Sequence, residues 1–109
     1  MKLEFIYYST RVERVILGLP KDLLTDFFAV QKMMIENGPN LGLPYTRAMG
    51  DGLFEIRLEA KDNIARVFYC TFKKSNIVIL HSFIKKTRTT PDRELQLAKK
   101  RLKEVKQNG

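Results

Sequence analysis

The sequence predicts one α+β domain, residues 1–109, in which two N-terminal helices pack on a mostly antiparallel four-stranded sheet and a basic helix follows. Three observations carry that prediction. The 109 residues are 44% hydrophobic and 29% charged, enough for a single core burying roughly two-thirds of the surface an unfolded chain exposes. Apolar residues recur at helical spacing toward both ends and at strand spacing between them. The elements follow in the order β-α-α-β-β-β-α, with no repeat, low-complexity tract or linker to suggest a second domain.

Leu3 to Tyr8 is a short run of aromatic and β-branched residues, read as the first strand. Thr10 is placed to cap a short helix ending at Leu17, and Gly18-Leu19-Pro20 interrupts it. Pro20 suits the first position of a second helix, with Asp22 favourable near its positive end. Leu23, Phe27, Val30 and Met34 recur along that helix to about Asn37, and Leu24, Phe28 and Ile35 widen the stripe. Residues 39–52 are rich in Gly and Pro and read as an irregular connection closing in an Asp51-Gly52 turn; it carries Tyr45 and Arg47.

Leu53 to Glu59 alternates, with Phe54, Ile56 and Leu58 on one face and Glu55, Arg57 and Glu59 on the other. Lys61-Asp62-Asn63 has turn chemistry, and Ile64 to Phe72 is apolar on both faces except for Arg66, as in a central strand. Ile77 to Ile84 is the fourth strand. The polar segment 85–90 leads to a final helix over Pro91 to about Lys106, with Thr90 as its cap. Leu95, Ala98, Leu102 and Val105 form a narrow docking seam there, and Lys99, Lys100, Arg101, Lys103 and Lys106 crowd the outward surface.

The chain carries a net charge of +8, with a pI near 9.8. From Lys85 onward nine basic residues face three acidic ones. Such an excess attracts polyanions, although a solvated basic helix that keeps the domain soluble has the same composition. Cys70 is the single cysteine and His81 the single histidine, so zinc-ligand spacing is absent and no metal or cofactor is expected. No window approaches a membrane span, and the first ten residues are too short an apolar stretch for a signal peptide, which predicts a cytoplasmic protein. Phosphate-loop, Rossmann, nucleophile-elbow and metalloprotease motifs are also missing.

What remains is cation chemistry. Arg57 and Arg66 lie on neighbouring strands of one hairpin, with Lys85 and Lys86 just past the last strand. A charge in the apolar run around Arg66 is costly unless it faces an open groove or a carboxylate. The plainer possibility is pairing with Glu55 or Glu59 across the strands, worth about 0.2–1 kcal/mol and without function. His81 reads as a hydrogen-bonded sheet histidine or a proton carrier. Tyr69 and Tyr45 are either core residues or platforms for a nucleobase.

In Gly50–Arg57 (GDGLFEIR), Ala65–Cys70 (ARVFYC) and Ile79–Pro91 (ILHSFIKKTRTTP), together with Leu19-Pro20, Asn37-Gly38-Pro39 and Leu43-Pro44 in register, the sequence resembles the phage-derived branch of the RelE/HigB toxins, in the RelE/ParE superfamily. The resemblance spans nearly the whole chain. It implies a RelE/ParE-like fold with an RNA-binding face opposite the N-terminal helices, and a toxin that cleaves ribosome-bound mRNA by attack of a ribose 2′-hydroxyl on the adjacent phosphate. It also implies neutralisation by a cognate helix-turn-helix antitoxin in a hetero-oligomer. Carried onto this sequence, the catalytic set is Arg57, Arg66, Lys85 and Lys86, to which His81 is added as a candidate substitute for the family's C-terminal catalytic residue. Read from charge and aromatic character instead, Lys61, Tyr69, Arg88, Lys99, Lys100 and Lys103 form the expected RNA-binding set. One departure stands out: many ribosome-dependent relatives end soon after the last strand with a catalytic Tyr or His, whereas this chain continues into the basic helix. A gyrase poison of the ParE type and a non-catalytic nucleic-acid-binding module are the alternatives.

Overall fold

Ser9, one residue before the expected Thr10, starts the first helix: its extended backbone lets Oγ accept from the Val12 N–H at 3.2 Å. The computed structural model describes residues 2–86 and 88–108, so Thr87 of the polar segment lies outside the described residues. Its elements are β1 (Glu4–Tyr7), α1 (Thr10–Leu17), α2 (Lys21–Asn37), β2 (Thr46–Gly50), β3 (Leu53–Glu59), β4 (Ile64–Phe72), β5 (Asn76–Ile84) and α3 (Asp92–Gln107). Helices α2 and α3 each begin one residue after the proline expected to open them. Neither has a side-chain cap, and the Pro20 and Pro91 carbonyls accept the first intrahelical bonds.

The sheet has five strands rather than four, in the order β1-β5-β4-β3-β2, and it is mixed. Strand β1 runs parallel to β5, from Glu4 opposite Asn76 to Tyr7 opposite Ile79, and the remaining neighbours are antiparallel. The extra strand, β2, lies inside the segment read as irregular. Asp51 (φ 55°) and Gly52 (φ 86°) take the left-handed geometry of a two-residue hairpin turn and set Gly50 opposite Leu53. The loop before β2 is tied down by Thr46, whose Oγ1 accepts from the Gly42 N–H at 2.8 Å, and by the Tyr69 hydroxyl, which donates to the Pro39 carbonyl at 2.6 Å.

Two apolar clusters sandwich the sheet. On one face Val12, Ile16, Leu23, Phe27, Val30 and Met34 of α1 and α2 cover Ile56, Leu58, Val67, Tyr69, Ile77 and Ile79. This stripe is narrower than expected, because Phe28 and Ile35 point outward and are exposed. On the other face Ala98 and Leu102 of α3, with Leu95 and Val105 beside them, cover Leu53, Phe68, Cys70, Val78 and Leu80. The face opposite the N-terminal helices is therefore only partly open. Arg101 also departs from the outward arrangement: Nη1 donates to the Leu80 carbonyl at 2.8 Å and the guanidinium lies over the Tyr8 ring. The Tyr8 hydroxyl in turn donates to Glu104 and fastens α3 to the end of β1.

Candidate phosphate-binding site

Beyond the edge of α3, the same sheet face becomes charged. Glu55 and Arg57 on β3 follow Leu53 on the same face, Arg47 on β2 stands in register with Glu55, and Arg66 on β4 stands in register with Arg57. The alternation of β3 puts Glu55 and Arg57 on a polar face; the structure buries Glu55 completely on that face. A buried carboxylate must be paired, and Glu55 Oε1 is the hub. Arg57 Nη1 lies 3.3 Å from it, Arg47 Nε 3.5 Å and Arg66 Nε 3.9 Å. Glu59 adds a second, exposed carboxylate, at 3.5 Å from Arg66 Nη2 and 3.7 Å from Arg57 Nη2.

The three guanidiniums differ in access. Arg66 is 3% exposed, and its Nη1 donates to the Ala65 carbonyl at 3.1 Å, so it lies beneath the surface instead of in an open groove. Arg57 at 23% and Arg47 at 46% reach solvent. Burial, followed by the neighbouring Arg57 cation, pushes the Arg66 guanidinium below its ordinary pKa, with Glu55 and Glu59 opposing. At the end of β5, Lys85 is half-buried, its N–H donating to the Ile64 carbonyl. Partial burial and the Arg66 cation push its ammonium pKa down. Four cations thus meet two carboxylates, one of them sealed below, and the outward charge is positive. Such a surface takes an anion with several oxygens, because guanidinium forks match phosphate geometry.

The other predicted residues fall elsewhere. Tyr69 is fully buried under α1 and α2, and burial pushes its phenol up to about 12; neither ring face is open to a base. His81 faces α3, with Nε2 2.8 Å from Glu94 Oε1 and its ring stacked on Phe83. Its registered partner is Phe68, which stands opposite Glu55, so His81 lies two strands from the carboxylate hub. Lys86 and Arg88 are exposed beyond β5, and Lys61 is exposed in the β3–β4 turn. Lys99, Lys100 and Lys103 are exposed along α3, lining a groove of about 700 Å³ against the β2–β3 turn. The structure thus gathers Arg57, Arg66 and Lys85 and leaves the remaining candidates apart. Glu55 and Arg47 complete the cluster, and neither is among the residues that the sequence marks as a site. Arg47 is hidden by the unrecognised β2; the signal that finds it is the Asp51-Gly52 hairpin turn, which needs a strand on each side.

A family model described as Phage derived protein Gp49-like (DUF891) matches residues 14–103. Among solved structures, a chain of the archaeal RelE-RelB complex from Pyrococcus horikoshii OT3 is similar, with a TM-score of 0.55 and 20% sequence identity over 83% of this chain and 100% of that one. At that identity the likeness is one of fold. No curated protein matches the sequence.

Proposed function

We propose, from the premise that this chain belongs to the phage-derived Gp49-like family, that it is the toxin of a toxin–antitoxin pair and a metal-independent endoribonuclease acting on ribosome-bound mRNA. The observation that carries the reading is the buried Glu55 holding Arg47, Arg57 and Arg66 in one fan. In the reaction, a ribose 2′-oxygen attacks the adjacent phosphorus while its proton passes to solvent. The bond to the 5′-oxygen breaks, and a 2′,3′-cyclic phosphate and a 5′-hydroxyl result. Arg57 and Arg47 hold the non-bridging oxygens, where charge builds in the transition state. Lys85, made a readier acid by its surroundings, protonates the departing oxygen. Arg66 and Glu55 are positioning residues, each too buried to touch substrate: Glu55 holds Arg57 directly, and Arg66 acts through the two carboxylates it shares with Arg57. The exposed lysines of α3 meet ribosomal RNA backbone without reading sequence. The similar fold occurs in a RelE-RelB complex, which supports a cognate antitoxin as the protein partner.

The test is primer extension on a translated message after induction, with pulse labelling alongside. The expected result is discrete cuts and a fall in protein synthesis before DNA synthesis. In Arg57→Ala the cuts should weaken by about 10²–10³-fold, the usual loss when one transition-state donor is removed, while circular dichroism shows the fold retained. Uncut message with accumulating DNA breaks would replace this reading with gyrase poisoning. Undiminished cutting by Arg57→Ala would remove the cluster from the chemistry.

A further inference from the structure

Strand β1 pairs with β5 only as far as Ile79, and the chain then turns into α1, so among the described residues the stretch from Leu80 to Ile84 has no strand partner on that side. Between this open edge, α1 and α3 lies a pocket of about 280 Å³, lined by Arg11, Val12, Val15, His81, Ser82, Leu97 and Arg101. We propose that this pocket binds a phosphate group, held by Arg11, Arg101 and the Ser82 hydroxyl.

Ser82 is only 5% exposed, and among the described residues its Oγ has no hydrogen-bond partner. A buried hydroxyl left unpaired is costly, and Ser82 is one of the residues that line the cavity, so a side-chain rotation would bring its hydroxyl to an acceptor there. The guanidiniums at the pocket are donors as well. Arg101 is already fixed there, with one guanidinium nitrogen on the Leu80 carbonyl and its plane over Tyr8, so its remaining N–H groups are presented with little entropy still to lose. Arg11 is exposed at the rim. Among the described residues no carboxylate lines the pocket. The two acidic side chains contributed by α3 nearby are engaged, Glu94 by His81 and Glu104 by Tyr8.

The donors come from three elements, α1, β5 and α3, which suits the diverging oxygens of a tetrahedral group better than a planar carboxylate. Val12, Val15 and Leu97 supply apolar walls for the carbon skeleton of a phosphate ester, and the volume, just below that of drug-sized ligand sites, suits a small one. This pocket is separate from the arginine cluster, so its assignment does not depend on nuclease activity. The two can still share a ligand: Glu55, Phe68 and His81 form one registered row, which places His81 roughly 10 Å from the carboxylate hub, two strand spacings away. The phosphate is therefore either one in an RNA strand that also occupies the arginine cluster or that of a free ester.

The test follows backbone amide and Arg side-chain resonances of the full chain while inorganic phosphate is added, and then while a short single-stranded RNA with 2′-methoxy groups, which cannot be cleaved, is added to the phosphate-saturated protein. Saturable shifts at Ser82 and Arg101 Nε are expected, weakened about tenfold in Arg11→Gln and in Ser82→Ala, as follows from removing one charge-assisted hydrogen bond. Ser82→Ala should melt no lower than the parent without phosphate and gain less from adding it, which separates lost binding from lost folding. Displacement of phosphate from Ser82 by the strand assigns the pocket to the RNA path, and retention assigns it to a free phosphate ester. Unsaturable shifts, shifts confined to Arg47, Arg57 and Lys85, or affinity unchanged in both variants would overturn the proposal. Message cutting in cells is a separate readout, so failure of the nuclease reading leaves this result standing.

Discussion

On one face of the sheet, strands β3 and β4 carry Leu53, Phe68 and Cys70 under α3, and Glu55, Arg57 and Arg66 a short distance along the same strands. Both stretches are buried in part, and both are held by the same backbone ladder. They differ in what covers them. Where Ala98 and Leu102 let α3 approach closely, the strands present apolar groups, and burial raises the Cys70 thiol pKa. Past the helix, the strands cover themselves with long cations drawn over one carboxylate. The charged region is thus organised from below, by Glu55, and not by the solvent in front of it.

Three variants probe that contrast. The largest effect is expected from Phe68→Ala, which empties a fully buried position under α3 and should cost about 3–5 kcal/mol in urea unfolding. Glu55→Gln should come next, at about 3 kcal/mol, because it removes the charge that three guanidiniums share. The two deficits should respond differently to added sodium phosphate. Anions can reach the exposed Arg47 and Arg57 and offset the missing carboxylate, so the Glu55→Gln deficit shrinks, whereas the Phe68→Ala deficit does not. Equal responses would show that the cluster is held by packing alone. The smallest stability effect belongs to the joint change of Lys99, Lys100 and Lys103 to Glu, within about 0.5 kcal/mol since all three are exposed. The same variant should bind ribosomes more weakly at low salt, with the log–log salt slope reduced by roughly 0.7–0.9 for each phosphate that is no longer neutralised. Unaltered ribosome binding with weakened antitoxin affinity would transfer that helix surface to the antitoxin.

Much of the fold is legible in the sequence because its signals are local. The alternation in Leu53–Glu59, the single charge in Ile64–Phe72 and the seam of Leu95, Ala98, Leu102 and Val105 each correspond to an element at nearly the expected bounds. The parallel partnership of β1 with β5 is not legible, since nothing in either strand encodes direction. Strand β2 is masked by the composition of its surroundings, although its closing turn is recognisable. At the site, residue type and strand position identify Arg57, Arg66 and Lys85. Pairing of Arg57 and Arg66 with Glu55 and Glu59 is legible too, whereas the depth of Arg66 and the complete burial of Glu55 escape, because alternation tells which face a side chain is on but not whether neighbouring side chains close over it. Tyr69 shows the same limit from the other side: its phenol finds a backbone acceptor inside the core, at Pro39, and so has no need of the surface.

Strand β1 also governs the order in which the chain becomes a working molecule. Among the described residues it is the first strand of the sheet in chain order, yet its partner is the last, with Glu4 set beside Asn76. Pairings so distant along the sequence form slowly, because a long loop must close before any contact rewards it. Lys85, at the end of β5, belongs to the same late event. A growing chain therefore carries neither a closed sheet nor a complete cation cluster until β5 and Lys85 have been made, and a product interrupted before them lacks both.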